Sequence, residues 1–207
     1  MIQVMPPGHL RLGILASGRG SNFLAIYAAI ERGDLDAEVA AVISDRSSPV
    51  LAEAKKKGLT NFWIDPAGFA DKAAYEREIV DRLREYGTDV VVLAGYMRLV
   101  GPEILRHYPQ RILNIHPALL PSFPGLNAQK QALDYGVRFS GCSVHLVDAG
   151  MDTGPILAQA VVPVMADDDE ETLSQRILEE EHKLYCRVLQ WLAEGRVYLD
   201  QRRTVIR

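Results

Sequence analysis

The chain has 207 residues, 48% hydrophobic and 24% charged, fractions of an ordinary globular protein that exclude a collagen-like, disordered or disulfide-scaffold chain. Lys plus Arg number 23 against 27 Asp plus Glu, a formal net charge of -4, so no overall electrostatic footprint for nucleic acid or an anionic membrane surface is present. No apolar run approaches the roughly 20 residues of a bilayer span, and at about 150 residues per domain the length points to one domain.

In chain order, residues 10–16 (LRLGILA) form a short apolar run that ends in Ser17-Gly18-Arg19-Gly20-Ser21-Asn22, after which Phe23, Ile26, Tyr27 and Ile30 recur at helical spacing. This reads as strand, glycine turn, helix. Residues 37–44 read as a second strand, 49–57 as a helix stopped by Gly58, and 60–64 as a third strand. Asp71 is placed to cap a helix whose apolar face carries Tyr75, Ile79 and Leu83, and residues 89–94 (DVVVLA) are nearly continuous Val and Leu. Strands that are apolar on both faces and alternate with helices predict a mostly parallel, Rossmann-like α/β sheet with helices on both sides.

Further on, a short helix at 102–107 precedes a strand at 111–115, and a proline-rich turn at 117–124 leads to a helix near 126–135. Residues 140–147 and 156–164 read as two more strands, an antiparallel pair joined by the loop 148–155, which brings the sheet to about seven strands. Residues 168–170 open a long helix, with Leu173, Ile177, Leu184, Val188 and Trp191 on one face, running to Gly195. The organisation expected is a single domain, 1–207, with one half at about 10–100 and another at about 101–195.

Three segments carry polar groups where a parallel sheet places ligands. The turn 17–22 lies between the first strand and its helix, where free amides and the helix dipole favour an anion. It lacks the Gly-Lys-Ser/Thr of a nucleotide loop and the third glycine of a dinucleotide fingerprint. The plainer reading is a tight turn with Ser21 or Asn22 as helix cap. Asn114 and His116 alternate with Ile115 at the end of a strand and so share one face, where an amide can donate to an oxyanion and an imidazole can exchange a proton. The third segment, 148–155, holds Asp148 and Asp152 between glycines, and Asp152 gains meaning only if the fold brings it to His116. Gly95, after the 89–94 strand, allows close approach of a flat ligand. His107, His145 and His182 read as ordinary structural histidines. The two cysteines, Cys142 and Cys186, fit reduced thiols and a cytoplasmic protein, and no zinc-type Cys or His spacing is present. The N-terminus has neither the basic nor the apolar region of a secretory leader.

Taken together, Leu15-x-Ser17-Gly18-x-Gly20-Ser21-Asn22, Ala94-Gly-Tyr-Met-Arg98, Asn114-Ile-His-Pro-x-Leu-Leu-Pro121, Pro124-Gly125 and Met151-Asp-Thr-Gly-Pro155 resemble the phosphoribosylglycinamide formyltransferase family, from Leu12 to about Trp191. The resemblance implies transfer of the formyl group of 10-formyltetrahydrofolate to the amine of glycinamide ribonucleotide, in purine synthesis, without a metal, by a monomer or homodimer. It implies a catalytic group of Asn114, His116 and Asp152, and ribonucleotide contacts from Gly20, Ser21, Asn22 and Glu181. It further implies folate contacts from Lys72, from Met97, Arg98, Leu99 and Val100, from Asn114, and from Asp148, Ala149, Gly150, Met151 and Asp152, as well as a cis Leu120–Pro121 bond. Two positions depart from the family pattern: Asn127 stands where His is expected, and Lys72, where Arg can stand, cannot make a bidentate fork. Other enzymes of the same chemistry, formyltetrahydrofolate hydrolase and methionyl-tRNA formyltransferase, carry additional domains that are not expected in this chain. A non-catalytic phosphate-binding module would require the catalytic group to be accidental.

Overall fold

The computed structural model describes residues 1–207. Its centre is a seven-stranded sheet of β2 (Leu10–Ala16), β3 (Ala37–Ser44), β4 (Asn61–Trp63), β5 (Val90–Leu93), β6 (Ile112–His116), β7 (Phe139–Leu146) and β8 (Ile156–Pro163), in the order β4-β3-β2-β5-β6-β7-β8. The first five are mutually parallel, and β6, β7 and β8 pair antiparallel. The fold class and strand count expected from the sequence are therefore those observed. Chain order runs outward from β2 to β4 and then returns to β5, so the sheet reverses direction between β2 and β5. In open α/β sheets, ligands bind outside the carboxyl ends of the strands at such a point.

Six helices cover the sheet: α1 (Ser21–Glu31), α2 (Pro49–Lys56), α3 (Lys72–Glu85), α4 (Pro102–His107), α5 (Ala128–Tyr135) and α6 (Glu170–Ala193). Residues of α1, α2, α5 and α6 join the larger apolar core on one face, while α3 and α4 close a smaller core on the other. Helix α6 starts at a capping box, with Asp169 accepting from the Thr172 amide and the Thr172 hydroxyl accepting from the Asp169 amide. Its Tyr185 is fully buried, and the hydroxyl contacts the carbonyls of both Leu93 and Leu113. That phenol ties the last helix to the end of β5 and to β6 one residue before Asn114.

Three short strands were not foreseen. β1 (Ile2–Gln3), β9 (Val197–Asp200) and β10 (Arg203–Ile206) form a separate sheet in the order β1-β9-β10. At the β9–β10 turn Arg202 donates to the Thr153 carbonyl at 2.5 Å, and Thr204 donates to the Ile156 carbonyl, so this small sheet touches the loop that carries Asp152. Helix α5 begins at Ala128, two residues later than the sequence pattern indicated, because Asn127 takes the cap position with φ 57°, a left-handed conformation that Asn tolerates better than most residues.

Candidate active site

The turn 17–22 is built by Gly20. Its φ of 78° is left-handed, and a Cβ there would lie 2.4 Å from Val50 Cγ2, so both conformation and space call for glycine. Gly20 itself caps α1, in place of the Ser21 or Asn22 side chain considered above, and no side chain caps the helix. The first intrahelical bond runs from Leu24 N to Gly20 O, which leaves the amides of Ser21, Asn22 and Phe23 at the positive end of the helix for a ligand. Beneath them Asn22 Nδ2 donates to Glu181 Oε2 at 2.8 Å. Both side chains are buried, and Asn22 Oδ1 has no partner, an acceptor waiting for a donor. Burial pushes the Glu181 carboxyl above its usual range, against the pull of the Asn22 amide. Glu181 comes from α6, so the two sequence halves interlock at this turn.

The second cluster forms where β6 meets β7. Antiparallel pairing sets Asn114 opposite His145. His145 Nδ1 lies 2.9 Å from the Leu146 carbonyl, an acceptor only, so Nδ1 is the donor there. The other nitrogen, Nε2, receives the Asn114 amide at 3.2 Å and lies 3.6 Å from Asp152 Oδ1. It thus stands between an amide that donates to it and a carboxylate that would accept from it once protonated. His116 follows the same logic: Nε2 donates to the Phe123 carbonyl at 2.8 Å, and Nδ1 lies 3.5 Å from Asp152 Oδ2. Nδ1 is therefore the nitrogen left to exchange a proton.

Asp152 occupies a left-handed conformation, φ 54°, and accepts from the Gly125 amide at 2.8 Å. Burial alone would raise its pKa. The contact with His145, the Gly125 N–H and the charges of His116 and His145 outweigh that effect and hold the carboxyl below the usual range. The loop around it is tied internally by Asp148, whose Oδ1 accepts from the Gly150 amide and the Thr153 hydroxyl.

These groups open into a cleft of about 270 Å³. Met97, Arg98, Leu99 and Val100 form one wall, Asp148, Gly150, Met151 and Asp152 another, with Asn114, His116 and His145 at the base. Mixed apolar walls around a few convergent polar groups are the usual make-up of a small-molecule site. Gly95, with φ 74°, also lines it. Ala149 and Lys72 are outside this lining; Lys72 sits at the start of α3 with Nζ 3.7 Å from Glu76 Oε1. The Leu120–Pro121 bond is cis, as the resemblance implied.

The sequence reading missed His145. Its signal was the antiparallel pairing itself: once β7 is set against β6, one register places an imidazole beside Asn114. The Gly125 amide was equally invisible, since any residue type can supply a backbone donor.

Comparison with known proteins identifies the family. The family model described as formyl transferase matches residues 10–189. The crystal structure of glycinamide ribonucleotide transformylase 1 from Symbiobacterium toebii superposes with a TM-score of 0.94 at 46% identity, covering 98% of this chain and 94% of that one. The phosphoribosylglycinamide formyltransferase of Escherichia coli (strain K12) is 39% identical over 193 residues, 93% of this chain and 91% of the relative. A formyltetrahydrofolate deformylase from Pseudomonas syringae shares the fold at a TM-score of 0.86 and 29% identity, and this chain covers 66% of it. The chain belongs to the formyl transferase family, on its phosphoribosylglycinamide formyltransferase branch.

Proposed function

We propose that the chain transfers the formyl group of 10-formyltetrahydrofolate to the glycine amine of N1-(5-phospho-D-ribosyl)glycinamide, as a cytoplasmic step of purine synthesis, with the site residues in the following roles. The observation that carries the reading is the meeting of Asn114, His116, His145 and Asp152 at the base of one cleft. The folate occupies the cleft between the 97–100 and 148–152 walls, where Met97, Leu99 and Met151 offer exposed apolar surface to a flat ring system. The ribonucleotide's phosphate sits on the amides of Gly20, Ser21 and Asn22. Its remaining polar groups meet Glu181 and the unpartnered Asn22 oxygen.

The amine attacks the formyl carbon, forming a C–N bond while the carbonyl pair moves onto oxygen. One N–H of the Asn114 amide is committed to His145, which fixes its plane and leaves the second for the oxyanion. His116, when it takes up a proton at Nδ1 opposite Asp152, places a positive charge beside the same oxygen. Collapse restores the carbonyl and breaks the bond to the folate nitrogen, which gains the proton that the amine loses; Asp152 orients the water that carries it.

The test is release of tetrahydrofolate with and without the ribonucleotide. Release that requires the ribonucleotide supports the transferase, and equal release without it makes the chain a hydrolase. Ser21→Asp places a like charge in the anion turn, so the KM for the ribonucleotide should rise more than tenfold while folate binding holds; equal loss of both would remove the phosphate from this turn.

A further inference from the structure

One turn of α3, remote from the reacting groups in sequence, holds the wall of the cleft. Glu76 is 2% exposed. Its Oε1 accepts from the Gly101 amide at 2.6 Å and its Oε2 from the Glu103 amide at 3.2 Å. Between them stands Pro102, which has no N–H, so the two carboxylate oxygens satisfy the two amides that flank it at the start of α4. The fit is close: a Cβ on Gly101 would come within 2.5 Å of Oε1 and 2.7 Å of Oε2. Lys72, one turn earlier, lies 3.7 Å away and supplies the nearest cation.

The neighbouring residue grips the same segment from its other end. Tyr75, buried, shares a hydrogen bond of 2.8 Å with the Tyr96 hydroxyl, and the Arg98 guanidinium lies over its ring at 5.6 Å. Residues 97–99 are exposed at the cleft, and the Met97 amide donates to Ser17 Oγ. The wall is therefore suspended between Tyr75 at one end and Glu76 at the other.

We infer that Glu76, with Tyr75, is a positioning residue for the formyl donor: its buried carboxylate fixes the 96–100 wall against which the folate lies. The inference rests on the reading of this cleft as the folate site. A carboxylate is needed because both partners are donors. Glutamine keeps the shape but turns one N–H₂ toward an amide hydrogen, so one end of the wall loses its anchor.

The experiment compares steady-state constants and melting temperature in Glu76→Gln, Glu76→Asp, Tyr75→Phe and, as a probe of the cleft itself, Leu99→Asp. Loss of one charge-assisted hydrogen bond should raise the KM for 10-formyltetrahydrofolate in Glu76→Gln by about tenfold. Saturated kcat and the KM for the ribonucleotide should stay within about twofold, and Glu76→Asp, which restores the acceptor, should recover part of the loss. Tyr75→Phe should raise the folate KM in the same selective way, and it carries the test if Glu76→Gln does not fold. A lower melting temperature with unchanged KM values overturns the proposal. An unchanged folate KM in Glu76→Gln beside a raised one in Leu99→Asp overturns the positioning role alone. No change in either overturns the folate assignment and the positioning role with it.

Discussion

Asp152→Asn separates charge from shape at the centre of the site. Asparagine is among the few residues that accept the left-handed φ of 54° found here, and its carbonyl can still accept the Gly125 amide, so the loop should keep its course. What disappears is a negative charge 3.5 Å from His116 Nδ1 and 3.6 Å from His145 Nε2. At an effective dielectric of about 20, a unit pair at that separation is worth about 5 kcal/mol, of which desolvation takes back a part. The remaining loss should resemble removal of an oxyanion donor, about 2.7 to 4 kcal/mol, or about two to three decades in kcat. Binding of the folate, followed by fluorescence titration, should change by less than about threefold, because a ground-state ligand does not carry the developing charge. The decisive measurement is kcat at saturation of both substrates for Asp152→Asn, His116→Ala and the double variant. If Asp152 acts through His116, the double variant is scarcely worse than the more damaged single one. Turnover near that of the parent in Asp152→Asn would refute the catalytic role, and single losses that multiply in the pair would refute the coupling.

Glu181 and Asp168 give predictions of opposite sign. Burial raises the Glu181 pKa, so its charge costs stability once the pH rises above the ordinary carboxylate range. Glu181→Gln should therefore raise the melting temperature at pH 8, with the gain fading toward pH 4, while the KM for the ribonucleotide increases. A variant that loses stability at pH 8 and binds the ribonucleotide normally would contradict the assignment. Asp168 is held well below its usual range by the Arg176 guanidinium, which it meets through two hydrogen bonds of 2.6 and 2.8 Å, and by the Met165 amide. A depressed carboxyl stabilises fully above the unfolded value, near 3.9, and loses that contribution as the pH falls toward the folded one. Asp168→Asn should lower the melting temperature at pH 7 by an amount that persists to about pH 4 and shrinks below it; a difference that does not depend on pH would show that the charge is not the cause.

The central sheet was legible because its strands are buried on both faces, and a run such as Val90–Leu93 has no other stable environment. Asn114 and His116 were legible through the two-residue period of a strand. His145 was not, since its meaning depends on a partner strand 31 residues away whose register the local sequence does not encode. The small sheet escaped for a related reason. β9 and β10 are joined by Gln201 and Arg202, without the Asn-Gly or Asp-Gly that marks a tight hairpin, although Gln201 adopts the left-handed φ of 56° that such a turn demands. Nothing in the local sequence sets Glu76 apart from the other charges of its helix; only the proximity of α4 gives its burial a reason.

The bond between Asn22 and Glu181 spans 159 residues. A chain made from its N-terminus forms the Gly20 turn early and the partner of that turn late, after the main sheet has been synthesised. Until α6 arrives and Tyr185 seats on the carbonyls of Leu93 and Leu113, the larger core lacks its longest helix and Asn22 lacks its carboxylate partner. A ligand that binds this turn only when Glu181 is in place stabilises the docked α6 by mass action, and under the proposed assignment that ligand is the ribonucleotide. Under that assignment, recognition of the substrate doubles as a clasp between the beginning and the end of the polypeptide.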